Sequence, residues 1–275
     1  MVDIDGAIGF VVAHGDQVDR ARLSWLRSSV APLPDVLAKA EMGQAPEGGW
    51  PAFWGGDRAS IDATCFRLAE LDDLGALDRP PARRALAWLV GRQRPDGTWE
   101  EDGALADSAP PWAQPGDPEA RLYLTANAGF WLAVGGDGRG ADPAEATAHG
   151  EANAHAEAVA RATQTFRAAM REDGSWPSYL IAGWLGGALL FHAGWYYEAA
   201  QIQVLLAERV PDMTPADVAW LAMAFRRVGM SADDWLMVAA RKRLTETQRT
   251  DGGWPSDDGP AFDVHTTLAA IRALR

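Results

Sequence analysis

Cysteine is nearly absent: 275 residues carry one, Cys65. An intrachain disulfide and a cysteine-rich zinc site are therefore excluded. Positive charge is also short, with 25 Lys and Arg against 38 Asp and Glu, a net charge of −13. Nucleic-acid binding draws its affinity from Lys and Arg on phosphates, so no nucleic-acid partner is expected. Non-specific adhesion to anionic lipid is disfavoured on the same ground. The opening Met1-Val-Asp-Ile-Asp is acidic where a secretory leader would be basic, and a cytoplasmic location is expected. Alternating strand-type runs and hairpin turns are missing as well. Yet the chain is 48% hydrophobic and long enough for one full core, so a single domain over 1–275 is expected. Tyrosine (4) and phenylalanine (8) are together outnumbered by 13 tryptophans. A buried indole needs a partner for its N–H, so thirteen require a structural reason.

An internal repeat supplies that reason. Gln44-Ala-Pro-Glu-Gly-Gly-Trp50 returns as Gln93-Arg-Pro-Asp-Gly-Thr-Trp99, as Met170-Arg-Glu-Asp-Gly-Ser-Trp176 and as Gln248-Arg-Thr-Asp-Gly-Gly-Trp254. The shared pattern is Q-x-x-[DE]-G-x-W, with Met once in place of Gln. Each copy closes a polar-faced helical stretch, and its Gly suits a left-handed helix end. Each is followed by a more apolar helix. Ser60-Ile-Asp-Ala-Thr64 and Asp263-Val-His-Thr-Thr267 open two of these in register, and a looser copy begins at Asp117. Apolar inner helices are expected near 60–74, 117–134, 178–191, 214–228 and 262–274. Polar-faced outer helices are expected near 33–43, 80–93, 144–170, 195–209 and 231–248, with a further pair near 4–13 and 16–28. Helical hairpins that cannot bury their own faces must stack, and at this number they can close into a ring.

The Q-x-x-x-G-x-W string between an outer helix and a D-x-[HDE]-x-T inner helix resembles the QW repeat of squalene and oxidosqualene cyclases. It is also similar to the repeat of protein prenyltransferase β subunits. The resemblance spans roughly 34–275. It implies an all-α fold, an α/α toroid of about five to six hairpins whose inner helices line an apolar cavity, commonly holding an isoprenoid. The repeat Gln and Trp residues read as staples between hairpins, the amide satisfying backbone groups at a helix end and the indole covering it. The family's catalytic signatures are incomplete here. The nearest string to D-x-D-D is Glu70-Leu-Asp-Asp73, read as solvated charge at a helix end. D-D-x-x-D is absent. His265 matches the zinc-binding His of the prenyltransferases, but Cys65 stands in another repeat and no D-x-C string exists. No metal or cofactor is expected.

The remaining chemistry sits at the starts of inner helices. Aligned by repeat, Asp62, Glu119 and His265 share one position, and Ser60, Asp117 and Asp263 the position two before it. A His flanked by carboxylates in apolar surroundings is an acid/base unit, since a carboxylate raises the imidazole pKa and burial raises a carboxylate's. Asp263, His265 and Asp62 are the expected catalytic residues, with Ser60 and Glu119 beside the substrate. The competing reading is that these groups cap their own helices. Phe66, Tyr123, Trp131, Trp184 and Trp220 are the aromatic faces nominated to hold a carbocation.

Three functions are compatible with this pattern. The first is a terpene cyclase-like enzyme, turning over an isoprenoid or polyene by acid/base-initiated cyclisation or isomerisation. The second is a noncatalytic isoprenoid-binding protein. The third is a prenyltransferase-like subunit that needs a partner chain. The stretch 177–197 carries no charged residue. Four Gly interrupt it, which argues against a membrane span. It reads as a buried inner helix, or as an apolar lip in peripheral contact with a membrane.

Overall fold

In the computed structural model, residues 2–136 and 146–275 are described. In chain order the helices are α1 (Ile4–His14), α2 (Gln17–Ser28), α3 (Pro34–Ala40), α4 (Ile61–Asp72), α5 (Pro80–Arg92) and α6 (Pro118–Gly136). They continue with α7 (Ala146–Ala169), α8 (Leu180–His192), α9 (Tyr196–Arg209), α10 (Pro215–Arg227), α11 (Trp235–Thr247) and α12 (Asp263–Ala273). Every expected helix is present. The expected start of α7 at 144 lies outside the described residues. One small departure is an antiparallel pair of two-residue strands, β1 (Trp50–Pro51) and β2 (Ala59–Ser60). The fold is all-α.

The described chain divides into two compact units. One comprises 1–40, 73–75 and 202–275. There α12 packs on α10, α1 and α2, while α10 also meets α11. The other comprises 41–72 and 76–201, with α6 at its centre against α4, α5, α7 and α8. Helix α6 buries an unbroken run from Leu122 to Val134, and α8 one from Ala182 to Leu190. The glycines of α8 are needed for that closeness. A Cβ on Gly183 would lie 2.0 Å from the Trp176 ring, and one on Gly186 would lie 2.1 Å from Phe166.

The repeat loops share one geometry. The Gly of each copy (Gly48, Gly97, Gly174, Gly252) has a positive φ, the conformation only Gly adopts without strain. The Gln side chains staple as expected. Gln44 Nε2 donates to Gly48 O and Pro81 O, Gln93 to Gly97 O and Ala158 O, and Gln248 to Gly252 O and Asp3 O. Gln44 and Gln93 thus tie their own loops to α5 and α7, and Gln248 ties its loop to the residue that caps α1. The indole N–H of Trp99 reaches Leu89 O, and that of Trp254 reaches Leu244 O, each ten residues back in the preceding helix. Trp50 donates to Met42 O. Trp176, whose loop has Met170 for Gln, instead donates forward to Tyr179 O.

Candidate active site

A threonine sets the register between loop and inner helix. The backbone N–H groups of Trp50, Trp99 and Trp254 donate to the hydroxyls of Thr64, Thr125 and Thr267. Those hydroxyls donate in turn to the carbonyls of Ser60, Arg121 and Asp263, four residues back. The residues two before each Thr are therefore equivalent: Asp62, Tyr123 and His265. This corrects the alignment that put Glu119 in that set. Helix α6 begins one turn earlier than its counterparts, capped by Asp117 Oδ1 on the N–H groups of Glu119 and Ala120. Glu119 is left exposed on that extra turn, away from the register the other two share. Arg121-Leu-Tyr-Leu-Thr125 held the signal, had the Thr been used as the anchor.

Asp62 does not cap its helix. Glu101, buried and 40 residues away, performs that role: its Oε2 accepts from Ile61 N at 3.0 Å and its Oε1 from Asp62 N at 3.0 Å. Ser60 Oγ completes the cap, donating to Glu101 Oε1 at 2.7 Å and accepting from Ala63 N. Ser60 is fully buried, so its role is to hold this cap rather than to meet a ligand. Burial pushes the Glu101 carboxyl up to about 7 against the hydrogen bonds it accepts. Sequence reasoning passed over Glu101, because a cap supplied from a distant loop leaves no local pattern.

With the helix end satisfied, the Asp62 carboxyl is committed elsewhere. Oδ1 accepts from the Tyr123 hydroxyl at 2.6 Å, and Oδ2 from Trp112 Nε1 at 3.2 Å. Asn127 Nδ2 donates to the Tyr123 oxygen at 3.1 Å, which leaves the phenol hydrogen for Asp62. Burial raises the Asp62 pKa, opposed by the two donors. The Tyr123 phenol is pushed well above its usual range by burial and by the Asp62 charge. Burial and then Asp62 and Glu101 do the same to the Cys65 thiol, which stays protonated. Burial thus works against ionisation of the Asp62 carboxyl, while its two donors favour the anion. Phe66, one turn along α4, is 40% exposed. Trp131 and Trp184 are 3% exposed and have no free face for a ligand, which makes them core rather than the cation-holding surfaces expected. Trp220 is half-buried in the other unit.

Asp263 and His265, in that other unit, are tied to arginines. Asp263 Oδ2 accepts from Arg249 at 2.7 Å, and Oδ1 from Ser256 N at 2.8 Å. His265 Nδ1 lies 2.8 Å from Nη1 of Arg22. A guanidinium can only donate, so Nδ1 accepts and carries no proton. The expectation of a carboxylate on this imidazole is thus corrected at Nδ1. Asp73 is corrected too: it is buried, not solvated, and pairs with Arg22 at 2.8 Å and with Arg272. Glu70 is likewise buried and pairs with Arg67.

The stretch 177–197 divides. Trp184 and Leu189 are buried in α8, whereas Trp195, Tyr196 and Tyr197 are exposed at the start of α9. An apolar lip along α8 is therefore not formed. Among the described residues, no helix is long and apolar enough to cross a membrane.

The fold is that of type II terpene cyclases. A variant of the type II terpene cyclase MstE from Scytonema, in complex with geranylgeranyl dihydroxybenzoate (substrate), superposes with a TM-score of 0.54 at 16% identity. That match covers 94% of this chain and 87% of that one. A second MstE variant, in complex with merosterolic acid A (product), gives 0.53 at 17% identity over 94% and 86%. A protein from Actinoplanes gives 0.58 at 19% identity over 94% and 89%. No protein-family model and no curated protein matches the sequence.

Proposed function

We propose that the protein is a terpene cyclase-like enzyme, acting on an isoprenoid or other polyene chain, with Asp62 as its acid. The observation that carries this reading is the Asp62 carboxyl, raised in pKa yet bonded to Tyr123 and Trp112. The fold shared with cyclases that bind a geranylgeranyl substrate supports the substrate class.

The step balances without a co-reactant. The Asp62 O–H bond breaks as its proton forms a C–H bond with a terminal alkene carbon. The alkene π pair supplies that bond, and the cation left behind is attacked by the next double bond. Loss of a proton to water from the final cation restores an alkene, and Asp62 regains a proton from solvent. The Tyr123 and Trp112 donors stabilise the Asp62 carboxylate while the cation lasts. Phe66 and Trp112, both partly exposed, offer aromatic faces to that cation. Asp263 and His265 shape their own unit through Arg249 and Arg22 rather than moving the proton.

The test is product analysis by mass spectrometry after incubation with geranylgeranylated aromatic acids, geranylgeraniol and squalene. Wild type is expected to convert at least one to a cyclic isomer, and Asp62→Asn to convert none. Equal conversion by both would remove Asp62 from the role.

A further inference from the structure

Trp112 lies in a short turn, Pro111–Ala113, within the proline-bearing loop that joins Glu101 to α6. It is 41% exposed, yet its indole nitrogen reaches back 50 residues in sequence to Oδ2 of Asp62. An exposed Trp held by one polar bond to a half-buried carboxyl is not a packing residue. Core packing already employs the deeply buried Trp50, Trp99 and Trp254, whose N–H groups all go to backbone carbonyls. Trp112 differs from these in giving its hydrogen to a side chain that titrates.

The two bonds on Asp62 are unequal. The phenol of Tyr123 sits at 2.6 Å from Oδ1, while the indole sits at 3.2 Å from Oδ2. In a protonated carboxyl the carbonyl oxygen is the better acceptor and the hydroxyl oxygen the poorer one. An indole N–H has no lone pair to receive an acid proton, so it can only occupy one lone-pair site of its oxygen.

We propose that Trp112 is a positioning residue, whose N–H holds Oδ2 of Asp62 beside the indole, while the shorter bond from Tyr123 to Oδ1 leaves Oδ2 as the oxygen that carries the transferable proton. Tyr123 holds Oδ1 as the carbonyl oxygen, and Trp112 takes one lone-pair site of Oδ2. The O–H bond is thereby left to the remaining site on Oδ2, alongside the exposed indole. The proton and the aromatic surface that stabilises the resulting cation then stand at the same place. This deepens the cyclase reading and rests on it for the substrate, but the geometry of the carboxyl itself needs none.

Infrared difference titration of the intact protein tests it without substrate. The protonated Asp62 carbonyl band is assigned by its loss in Asp62→Asn. Trp112→Phe keeps an aromatic ring and removes the N–H. That variant is expected to shift the band and to raise the pH at which it disappears by about 1 unit, the worth of one hydrogen bond to a charged group. Circular dichroism should be unchanged. An Asp62 band and titration identical to wild type in a folded Trp112→Phe protein overturns the proposal. If Trp112→Phe loses its fold, Trp112→Leu, which also lacks the N–H, is measured in its place. A midpoint raised by a similar amount supports the N–H assignment, and an unmoved midpoint overturns it. The shift appearing while no polyene is converted leaves the positioning role standing and removes the cyclase reading; conversion without the shift does the reverse.

Discussion

Tyr123 donates its hydroxyl hydrogen to Oδ1 of Asp62 at 2.6 Å, across 61 residues of sequence. The bond brings the start of α4 against the second turn of α6, at positions the threonine register makes equivalent. It is fed from the other side by Asn127, so the phenol cannot turn away without losing two partners. Tyr123→Phe removes the stronger of the two donors to the Asp62 carboxylate. The conjugate acid then becomes a weaker proton donor, and turnover is expected to fall by about 10-fold or more, one hydrogen bond to a charged group being worth about 1.5–3 kcal/mol. Steady-state kinetics on whichever polyene the wild type converts checks this. A fall in kcat with KM held is the expected pattern, and an unchanged kcat would mean that the phenol only packs.

Glu101 makes stability depend on pH. Its carboxyl stands at about 7 in the folded chain against an ordinary 4.5, so the folded state holds the proton more tightly. That contribution is complete below about 4.5 and is lost as pH rises through about 7. Asp62 and Asp217, both raised, add in the same sense. Carboxylates depressed by their partners, such as Asp96 by Thr98 and Glu100 by Arg121 and Gly116, act in the opposite sense and only in stronger acid. Thermal midpoints are therefore expected to decline between about pH 5 and about pH 7.5. Glu101→Gln should make that decline shallower. A slope that survives unaltered in Glu101→Gln would assign the dependence to other groups.

Arg22 is 2% exposed and spans Asp19, Asp73 and His265 in the unit built on α12. Replacing it with Met conserves much of the volume but strips a cation from a buried carboxylate. Breaking a buried pair from one side costs about 3 kcal/mol or more. Chemical denaturation of Arg22→Met is expected to show a loss of that size, with Arg22→Lys intermediate. A loss under about 1 kcal/mol, the worth of an exposed pair, would show that Asp73 is adequately held by Arg272 alone.

The third repeat offers a gain rather than a loss. Met170 stands where the other copies place a Gln that donates to its own loop, and an open groove of about 510 Å³ borders it, lined also by Arg167, Tyr197 and Gln201. Met170→Gln is expected to form the bond to Gly174 O that Gln93 makes to Gly97 O. The gain should be about 1 kcal/mol, one net hydrogen bond. Gln248→Ala should lose more than that, since its amide makes bonds to Asp3 N, Asp3 O and Gly252 O. Calorimetric midpoints of the two variants, moving in opposite directions, check the pair together.

The helices were legible because the repeat loops announce them, although the Gly does not form the helix end expected of it: α5 and α11 close at Gln93 and Gln248 in extended backbone, and the positive-φ Gly97 and Gly252 shape the loop turn beyond. The staples were legible because Gln and Trp recur at fixed spacing. The candidate site was legible in part, as residues rather than as contacts. Asp62 and Tyr123 were both named, but as an acid and a cation-holding ring, not as bonded partners. Aligning Glu119 with Asp62 hid the relationship, because the extra turn of α6 had no counterpart in the other copies. Glu101 and Trp112 were out of reach. Both act across roughly 40–50 residues of sequence, where spacing carries no information on contact. The charged string ending at Asp73 misled for a related reason, since its partners Arg22 and Arg272 lie 51 and 199 residues away.

The central claim is that Asp62 delivers a proton to carbon. Turnover in deuterated water tests it most directly, because the acid proton exchanges with solvent before each cycle. One deuterium is expected in the cyclised product at the carbon that was the terminal alkene, with no product from a folded Asp62→Asn protein. Product without deuterium, or product formed equally well by Asp62→Asn, would contradict the account.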